Sequence, residues 1–351
     1  MHRPPSLPGY REFPIIIDGA RRIGIIHHWD ADGISCAARI IKRTEASGQG
    51  CWNASPEIGN FADLSAPAGR LMEMKPDIVL GLDLSTTAKV LGDLRKLFGS
   101  SRLVWIDHHS SPPTPPDDVI FIHSGEENSQ SNSEFLSSLL GEEELDLLGA
   151  IGTCGDLGRG MPPGYAERIE TATRNMGLTL GDVFEITDLL DSNYRSGSLG
   201  DVERAPWILA EGLENPLMLL EVDSWVQNKA RVDREIEKIM TGDGWVDGQV
   251  LIKTISTRMN LISIVTRLLA LNTGQDVSAV IVYDHSRDPS PIYVRRVDRV
   301  SPSLDLTPLI RLGREWGVSA GGKAQVVGMM IPRDELEPIR EKILGLLEEL
   351  I

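Results

Sequence analysis

The first half of the chain alternates short apolar runs with amphipathic segments. The apolar runs, rich in Ile, Val and Leu, predict β-strands at residues 22–28, 77–83, 102–108 and 119–123. Helical periodicity follows at residues 33–44, 86–98, 131–140 and 142–154, and Ser85 stands where a helix N-cap is expected. Strands that alternate with helices are typical of an α/β domain with a mainly parallel sheet flanked by helices.

The pattern changes near residue 181. Residues 182–191 and 216–240 predict helices, the second long and highly charged. Strands are then predicted at residues 249–255, 277–283, 292–297 and 324–331, and helices at residues 261–271, 307–316 and 334–351, with a glycine-rich turn before the last strand. We therefore expect an N-terminal α/β domain at residues 1–190, a helical linker at residues 191–245 and a smaller C-terminal α/β domain at residues 246–351.

The charge balance limits the classes of partner. The 351 residues include 35 Lys and Arg against 51 Asp and Glu, a formal net charge of -16. Non-specific coating of nucleic acid depends on many Lys and Arg contacts to phosphate, so this charge argues against it, and it also disfavours anionic membrane surfaces. The N-terminus lacks a signal-peptide layout, no apolar run reaches the roughly 18–20 residues of a membrane span, and Cys36, Cys51 and Cys154 form no CxxC pair. These features predict a soluble, cytoplasmic protein.

Acidic and histidine clusters follow three of the predicted strands. They are HHWDADG at residues 27–33, LDLS at residues 82–85 and DHHSS at residues 107–111; a fourth cluster, GTCGDLG at residues 152–158, places Asp156 just beyond a predicted helix. The carboxyl ends of parallel strands meet at one edge of a sheet, where ligands bind in open α/β folds. We therefore expect these side chains to converge.

Converging carboxylates require a counter-charge. The candidates are Asp30, Asp32, Asp83, Asp107 and Asp156, and divalent metal is the natural partner for them. Carboxylate mixed with imidazole suits Mn²⁺, with Mg²⁺, Zn²⁺ or Co²⁺ as alternatives. Asp30 and Asp32 could each serve one of two ions and Asp83 could bridge them, which is the two-metal arrangement of phosphoryl chemistry. Each motif alone is typical of a solvated loop, and Asp32 and Asp156 could simply cap helices; the order and placement of all four favour the metal site.

The four motifs, taken in this order, resemble the DHH phosphoesterase superfamily, which is named for the triplet at residues 107–109. The resemblance covers about residues 23–158. The superfamily includes RecJ-like exonucleases, phosphatases of short oligonucleotides and of 3'-phosphoadenosine 5'-phosphate, cyclic dinucleotide phosphodiesterases and family II pyrophosphatases. Membership implies a catalytic N-terminal domain and a substrate-binding C-terminal domain.

The resemblance also implies roles for individual residues. One ion would be held by His28, Asp30 and Asp83, and the other by Asp32, Asp83, His108 and Asp156. His109 would face the phosphate as a charge stabiliser, while Asp107 would orient the histidines. His27 and His28 compete for one ligand position; the alternation of side chains along a strand puts His28 on the side of Asp30, so His28 is preferred.

The segment VSAGGKAQVVGMMIP at residues 318–332 resembles the glycine-rich motif of the C-terminal domain that accompanies DHH domains. This implies that Gly321, Gly322 and Lys323 bind substrate, together with the upstream Arg295 and Arg296. The chain departs from the family in having Lys323 where relatives have His and a Val pair where they have a small Ala pair. Alternatively, the glycines form only a tight turn. Neighbouring residues of a strand point opposite ways, so at most one of the two arginines would face a substrate.

The expected activity is metal-dependent hydrolysis of phosphodiester or phosphomonoester bonds in short oligonucleotides or small nucleotides. The C-terminal domain argues against a pyrophosphatase, and the acidic charge argues against tight binding of long nucleic acid without a partner protein. Two alternatives stay open. One is a RecJ-like single-strand exonuclease that recruits partners, and the other is a non-catalytic, replication-associated scaffold with a broken ligand set. A homodimer is compatible with either.

Overall fold

The computed structural model describes residues 10–60, 63–109, 112–124, 131–142, 145–274 and 276–351. The chain forms two compact units, of which the first ends at Lys229 and the second begins at Ala230. This division falls within residues 191–245, the segment that the sequence predicts to be a helical linker. No helix in the described part of the chain is long and apolar enough to cross a bilayer.

The first unit contains a five-stranded sheet in which every pair of neighbours is parallel. Its strands, in the order β2-β1-β3-β4-β5, are β1 Arg22–His27, β2 Gly50–Ala54, β3 Ile78–Leu82, β4 Arg102–Asp107 and β5 Val119–His123. Its helices are α1 Phe13–Asp18, α2 Ala31–Ala46, α3 Ser65–Glu73, α4 Ala88–Phe98, α5 Asn132–Leu140, α6 Leu147–Leu157, α7 Pro163–Thr173, α8 Leu180–Arg195 and α9 Leu199–Gly212. The predicted α/β class is confirmed.

Both faces of this sheet are covered by helices. Residues of α2, α5, α6, α8 and α9 form one apolar core with the sheet, and residues of α3 and α4 form another core with it. The central strands β1, β3 and β4 are buried along almost their whole length. This burial explains why they appear in the sequence as continuous apolar runs rather than as alternating patterns.

The second unit contains a mixed sheet of six strands in the order β10-β11-β9-β8-β7-β6. The strands are β6 Trp245–Asp247, β7 Val250–Ile255, β8 Ala279–Asp284, β9 Ser290–Arg296, β10 Ser319–Lys323 and β11 Val326–Ile331, and only β7 and β8 are parallel neighbours. Its helices are α11 Ile262–Asn272, α12 Thr307–Glu315 and α13 Leu336–Leu350. The helix α10 Asp223–Thr241 contains the division between the units.

Several local predictions were wrong. Ser85 does not cap α4; Thr87 does, and its Oγ1 accepts a hydrogen bond from Val90 N at 3.3 Å. Residues 216–240 do not form one helix, because a 3₁₀ turn at Pro216–Glu221 and an extended Val222 precede α10. The helix predicted at residues 142–154 begins later, at Leu147, and residues 143–144 lie outside the described part. The predicted glycine-rich turn includes β10, which pairs with β11.

A close contact between two central strands fixes the turn that follows β3. A Cβ on Gly81 would lie 2.0 Å from the ring of Trp105, its partner on β4. The indole Nε1 of Trp105 donates to the carbonyl of Leu84 at 2.8 Å. The backbone on either side of Asp83 is thus held by one buried tryptophan.

We predict that Gly81→Ala lowers the free energy of unfolding by about 1–3 kcal/mol, because the added methyl group overpacks the contact with Trp105. Gly92→Ala in α4 is the matched control. A Cβ there meets no atom within 4 Å, so the change should be neutral or stabilise the protein by up to about 1 kcal/mol. Urea unfolding of both variants measures the difference, and equal stability of the two would contradict the prediction.

Candidate metal centre

The carboxyl ends of β1, β3 and β4 lie side by side. His27 is in register with Leu82, and Leu82 with Ile106, so the residues that follow these positions are neighbours at one edge of the sheet. Those residues, His28, Asp83 and Asp107, belong to the HHWDADG, LDLS and DHH motifs. The convergence expected from the sequence is therefore found in the structure.

One group of potential ligands surrounds His28. Its Nδ1 lies 2.8 Å from Asp30 Oδ2 and 3.8 Å from Asp83 Oδ2. One ligand atom from each of the three residues falls within 4.8 Å of the others. The set of two carboxylates and one imidazole is suited to a divalent cation.

A second group surrounds His108. Its Nε2 lies 3.4 Å from Asp83 Oδ1, 3.3 Å from Asp156 Oδ2 and 4.0 Å from Asp32 Oδ2. Asp83 thus directs one carboxylate oxygen toward His28 and the other toward His108. Ligand atoms of Asp83, His108 and His109 also come within 4.8 Å of one another. This arrangement can hold two ions with one carboxylate between them.

The burial, hydrogen bonding and pKa of Asp83 indicate whether a divalent cation would fit between the two groups of potential ligands. Its side chain is buried, and Oδ1 forms no hydrogen bond with any described residue although His108 is near. Burial, followed by the charges of Asp32 and Asp30, raises the pKa of Asp83 well above its usual range. A buried carboxylate with an unsatisfied oxygen amid other carboxylates is stabilised by a nearby divalent cation, so the residues fit the group they were predicted to bind.

The Asp83 backbone is unusual. It has φ of 60°, in the left-handed region that Asp tolerates better than most residues. This conformation occurs directly after β3 ends, at the position where the carboxylate faces both histidines. An uncommon backbone conformation is therefore found at the residue shared by the two groups.

Asp32 is held by a helix that the sequence did not connect with it. Its Oδ2 accepts a hydrogen bond from Asn132 N at 2.6 Å and its Oδ1 accepts one from Ser133 N at 2.9 Å, both at the start of α5. A Cβ on Gly152 would lie 2.2 Å from Asp32 Oδ1, so a glycine is needed there. Burial raises the pKa of Asp32 to about 6. The run of Ser and Asn before an apolar helix is the only sequence signal for this contact.

Neither Asp32 nor Asp156, the two residues that could have been helix caps, is an N-cap in the structure. Asp30, not Asp32, is the N-cap of α2, and its Oδ1 accepts from Gly33 N at 3.1 Å. Asp156 does not follow the helix as predicted but lies in its last turn, within α6, so it cannot be an N-cap there. Gly33 is also required, because a Cβ would lie 2.5 Å from the carbonyl oxygen of His28.

The two adjacent histidines have different environments. His27 is fully buried; its Nδ1 donates to the carbonyl of His28 at 2.7 Å, and its Nε2 lies 3.1 Å from Asn53 Nδ2 and accepts from it. Burial lowers the pKa of His27 to about 4, so its ring is neutral. The structure therefore places His28 beside the carboxylates and His27 in a separate hydrogen-bond network.

Asp107 contacts the histidine predicted to face the phosphate. Its Oδ1 lies 2.6 Å from His109 Nδ1, and the His109 side chain is 37% exposed whereas Asp107 is buried. Burial raises the pKa of Asp107, but the hydrogen bond and charge of His109 outweigh it and the net shift is downward. A hydrogen bond donated from Nδ1 leaves Nε2 of His109 as the nitrogen that can meet a ligand.

The candidate substrate residues of the second unit gather at one end of its sheet. Lys323 and the glycines belong to β10, Val326 of β11 pairs with both Lys323 and Arg295, and Lys323 is exposed. Gly322 has φ of 149°, and a Cβ there would lie 2.1 Å from the carbonyl oxygen of Val326. Gly321 has open space around it and has no such requirement.

The two arginines of β9 differ. Arg296 pairs with Asp298 and donates to the carbonyl of Leu304 at 3.1 Å. Arg295 has a buried Nε with no hydrogen-bond partner among the described residues. Burial, together with the charge of Arg267 on α11, lowers the pKa of Arg295 to about 10. Arg267 was not identified from the sequence as a neighbour of Arg295, because nothing there distinguishes it from other charged residues of an amphipathic helix.

Comparisons with known proteins give matches in structure alone. No protein-family model matches the sequence, and no curated protein matches it. The DHH domain of a member of a ribosomal-protein family is similar with a TM-score of 0.71 at 17% identity, covering 98% of this chain and 91% of that one. Exonuclease RecJ bound to manganese is similar with a TM-score of 0.63 at 17% identity, covering 98% and 95%.

An exopolyphosphatase-related protein from Bacteroides fragilis is also similar, with a TM-score of 0.54 at 15% identity over 100% of this chain and 99% of that one. At such identities the similarity establishes the fold. The chain shares the fold of these solved structures, one of which is a DHH domain, and the fold that the four motifs imply is confirmed.

We predict that His28→Ala lowers Mn²⁺ affinity at least about tenfold while changing the free energy of unfolding by less than about 1 kcal/mol, since a candidate ligand with a partly exposed side chain is removed. His27→Ala is the matched neighbour. It should cost about 1–3 kcal/mol of stability, because it breaks buried hydrogen bonds, and should affect Mn²⁺ affinity less. Isothermal titration with Mn²⁺ and urea unfolding measure the two effects, and the reverse pattern would make His27 the ligand.

Proposed function

We propose that the chain is a divalent-metal-dependent phosphoesterase that hydrolyses phosphodiester or phosphomonoester bonds of short oligonucleotides or small nucleotides. The observation that carries the proposal is the position of Asp83, whose two oxygens face two different groups of potential ligands. His28, Asp30 and Asp83 would hold one ion, and Asp32, Asp83, His108 and Asp156 the other. Mn²⁺ is the expected ion, with Mg²⁺, Co²⁺ or Zn²⁺ as alternatives.

When bound, two such ions lower the pKa of a water molecule and stabilise charge on the phosphoryl oxygens. The chain's own residues supply positioning and a further charge. Asp107 accepts from His109 Nδ1 and orients the ring, and the doubly protonated ring can donate from Nε2 to a phosphate oxygen as negative charge develops there. The amides of α5 hold the Asp32 carboxylate in place. Both contacts are formed before any substrate arrives, which is the condition for electrostatic preorganisation.

We assign catalysis to the first unit and substrate binding to the second. Arg295 is the best candidate for a phosphate ligand, because its Nε has no partner among the described residues and the charge of Arg267 is close. Exposed Lys323 adds a point charge, whereas Gly322 serves the pairing of β10 with β11, where a Cβ would meet the carbonyl oxygen of Val326. The net charge of -16 favours short substrates over long nucleic acid.

The RecJ-like alternative is supported by the similarity to exonuclease RecJ over nearly the whole chain. It requires a partner protein to supply affinity for long single strands, because the chain itself is strongly acidic. A non-catalytic scaffold would be expected to lack some of the ligands, whereas the described residues include two separate groups that could each hold an ion, His28–Asp30–Asp83 and Asp32–His108–Asp156. The catalytic proposal is therefore favoured.

We predict that Asp83→Asn reduces Mn²⁺-dependent hydrolysis at least about a thousandfold, because the shared carboxylate loses its charge. Asn tolerates the left-handed backbone, so the fold should be retained, as circular dichroism would verify. Asp93→Asn, an exposed carboxylate on α4, is the control and should keep full activity. Undiminished turnover by the Asp83 variant would refute the two-ion proposal.

The substrate panel for this assay contains short RNA, short DNA, cyclic dinucleotides, 3'-phosphoadenosine 5'-phosphate, pyrophosphate and a long single strand. Preference for oligomers of a few nucleotides over the long strand is expected. The opposite preference would favour the RecJ-like alternative, and hydrolysis of none of them by metal-loaded protein would favour the scaffold.

We predict that Arg295→Ala raises KM about tenfold or more with a smaller change in kcat, since a charged contact to phosphate contributes on the order of 1.5–3 kcal/mol. Arg296→Ala is the matched control on the same strand. Its guanidinium is already engaged by Asp298 and Leu304, so KM should change less than about threefold. Steady-state kinetics on the preferred substrate would reject this assignment if Arg296 proved the more sensitive position.

A further inference from the structure

A buried carboxylate outside the candidate ligand groups contacts the segment that carries two of them. Asp191, on α8, is 5% exposed, and its Oδ1 accepts a hydrogen bond from Ala31 N at 2.9 Å. Ala31 lies between Asp30 and Asp32 and is the first residue of α2. Asp191 is 160 positions away in sequence, so no local pattern indicates the contact.

The first N–H groups of a helix have no partner within the helix. Two carboxylates take this role in α2. Asp30 accepts from Gly33 N, and Asp191 accepts from Ala31 N. The bond from Asp191 restrains the backbone between Asp30 and Asp32, and the amides of α5 restrain the Asp32 carboxylate. The separation of the two carboxylates therefore depends on elements from three parts of the first unit.

The charge of Asp191 is balanced from its own helix. Its Oδ2 lies 2.5 Å from Arg195 Nη2, one turn further along α8, and Arg195 Nη1 lies 3.6 Å from Asp188 Oδ1. The positive end of the α2 dipole adds to this compensation. Among the described residues, Asp191 belongs to none of the groups that could hold an ion. It can keep its place whether or not an ion is bound nearby.

We propose that Asp191 is a positioning residue, which fixes the backbone of the Asp30–Ala31–Asp32 segment so that both carboxylates are set for metal binding. The inference rests on the proposed function, because it assumes that Asp30 and Asp32 are ligands. Groups that orient metal ligands typically contribute about 10–100-fold to metal affinity or activity. A residue that serves only packing would change stability without changing metal affinity in the folded protein.

The test measures Mn²⁺ affinity of the full chain by isothermal titration without substrate. Asp191→Ala should lower the affinity about 10–100-fold, whereas Asp191→Asn keeps an acceptor for Ala31 N and should remain within about threefold of the wild type. Asp188→Ala is the matched control. It removes a carboxylate of the same helix that pairs with the same Arg195 but does not contact Ala31, and it should bind Mn²⁺ normally.

Ala31→Pro removes the N–H itself and provides a second route if Asp191→Ala fails to fold. Proline is favoured at the first position of a helix, and the preceding Asp30, with φ of -85° and ψ of 178°, has a conformation suited to the residue before proline. Its Mn²⁺ affinity should also fall about 10–100-fold, and combining it with Asp191→Ala should add little further loss.

Unchanged Mn²⁺ affinity in folded Asp191→Ala or Ala31→Pro would overturn the inference, as would an equal loss in Asp188→Ala or in Asp191→Asn. Failure of the proposed function has a different signature. If the wild-type chain binds no Mn²⁺, both proposals fall. If it binds Mn²⁺ but hydrolyses nothing in the substrate panel, the proposed function falls while the affinities of these variants still decide the role of Asp191.

Discussion

The structure of the first unit depends on how it accommodates carboxylates buried at one edge of a sheet. Most of them have a partner supplied by the chain. Asp32 accepts from two amides of α5, Asp30 accepts from α2, and Asp107 accepts from His109. Asp83 differs, because its Oδ1 forms no hydrogen bond with a described residue. The chain thus provides partners for most of the negative charge, and a divalent cation could supply the missing counter-charge at the Asp83 carboxylate.

The same residue is also where the backbone departs from ordinary geometry. A left-handed conformation costs a residue about 1–2 kcal/mol, and Asp lowers that cost through local hydrogen bonding. The surroundings maintain it at Asp83, since β3 lies between β1 and β4 and Trp105 holds the carbonyl of Leu84. Gly81 makes room for that indole. The packing of Trp105 against Gly81 therefore helps to determine the direction of the Asp83 carboxylate at the edge of the sheet.

The parts that the sequence predicted well are those with local causes. Buried parallel strands appear as continuous apolar runs, and polar residues that follow them must meet at one edge, so the positions of His28, Asp83 and His108 could be anticipated. Strand β2 was missed because GCWNA is neither a continuous apolar run nor a strict alternation, and β10 was missed because SAGGK has no strongly apolar residue. Its strand conformation comes from pairing with β11.

The contacts to Asp32 and Ala31 could not be predicted because they depend on tertiary placement. The α5 amides are about a hundred positions from Asp32, and Asp191 is farther still from Ala31. Their sequence surroundings indicate only helix starts and a charged helix face. Residues that would orient a site are thus harder to recognise in a sequence than its candidate ligands. A single hydrogen-bond donor or acceptor is enough for the task, and any element that packs near the site can supply it.

The two units contain opposite unmet charges. In the first, a carboxylate oxygen lacks a hydrogen-bond donor among the described residues; in the second, the buried Nε of Arg295 lacks an acceptor there and Arg267 adds like charge. A cation alone would satisfy the first unit and an anion alone the second. Each unit therefore supports the proposed phosphate chemistry separately: the first has a carboxylate that a divalent ion would neutralise, and the second has a guanidinium that could donate to a phosphate oxygen. These local charges, rather than the net charge, are the physical basis for proposing phosphate chemistry for so acidic a chain.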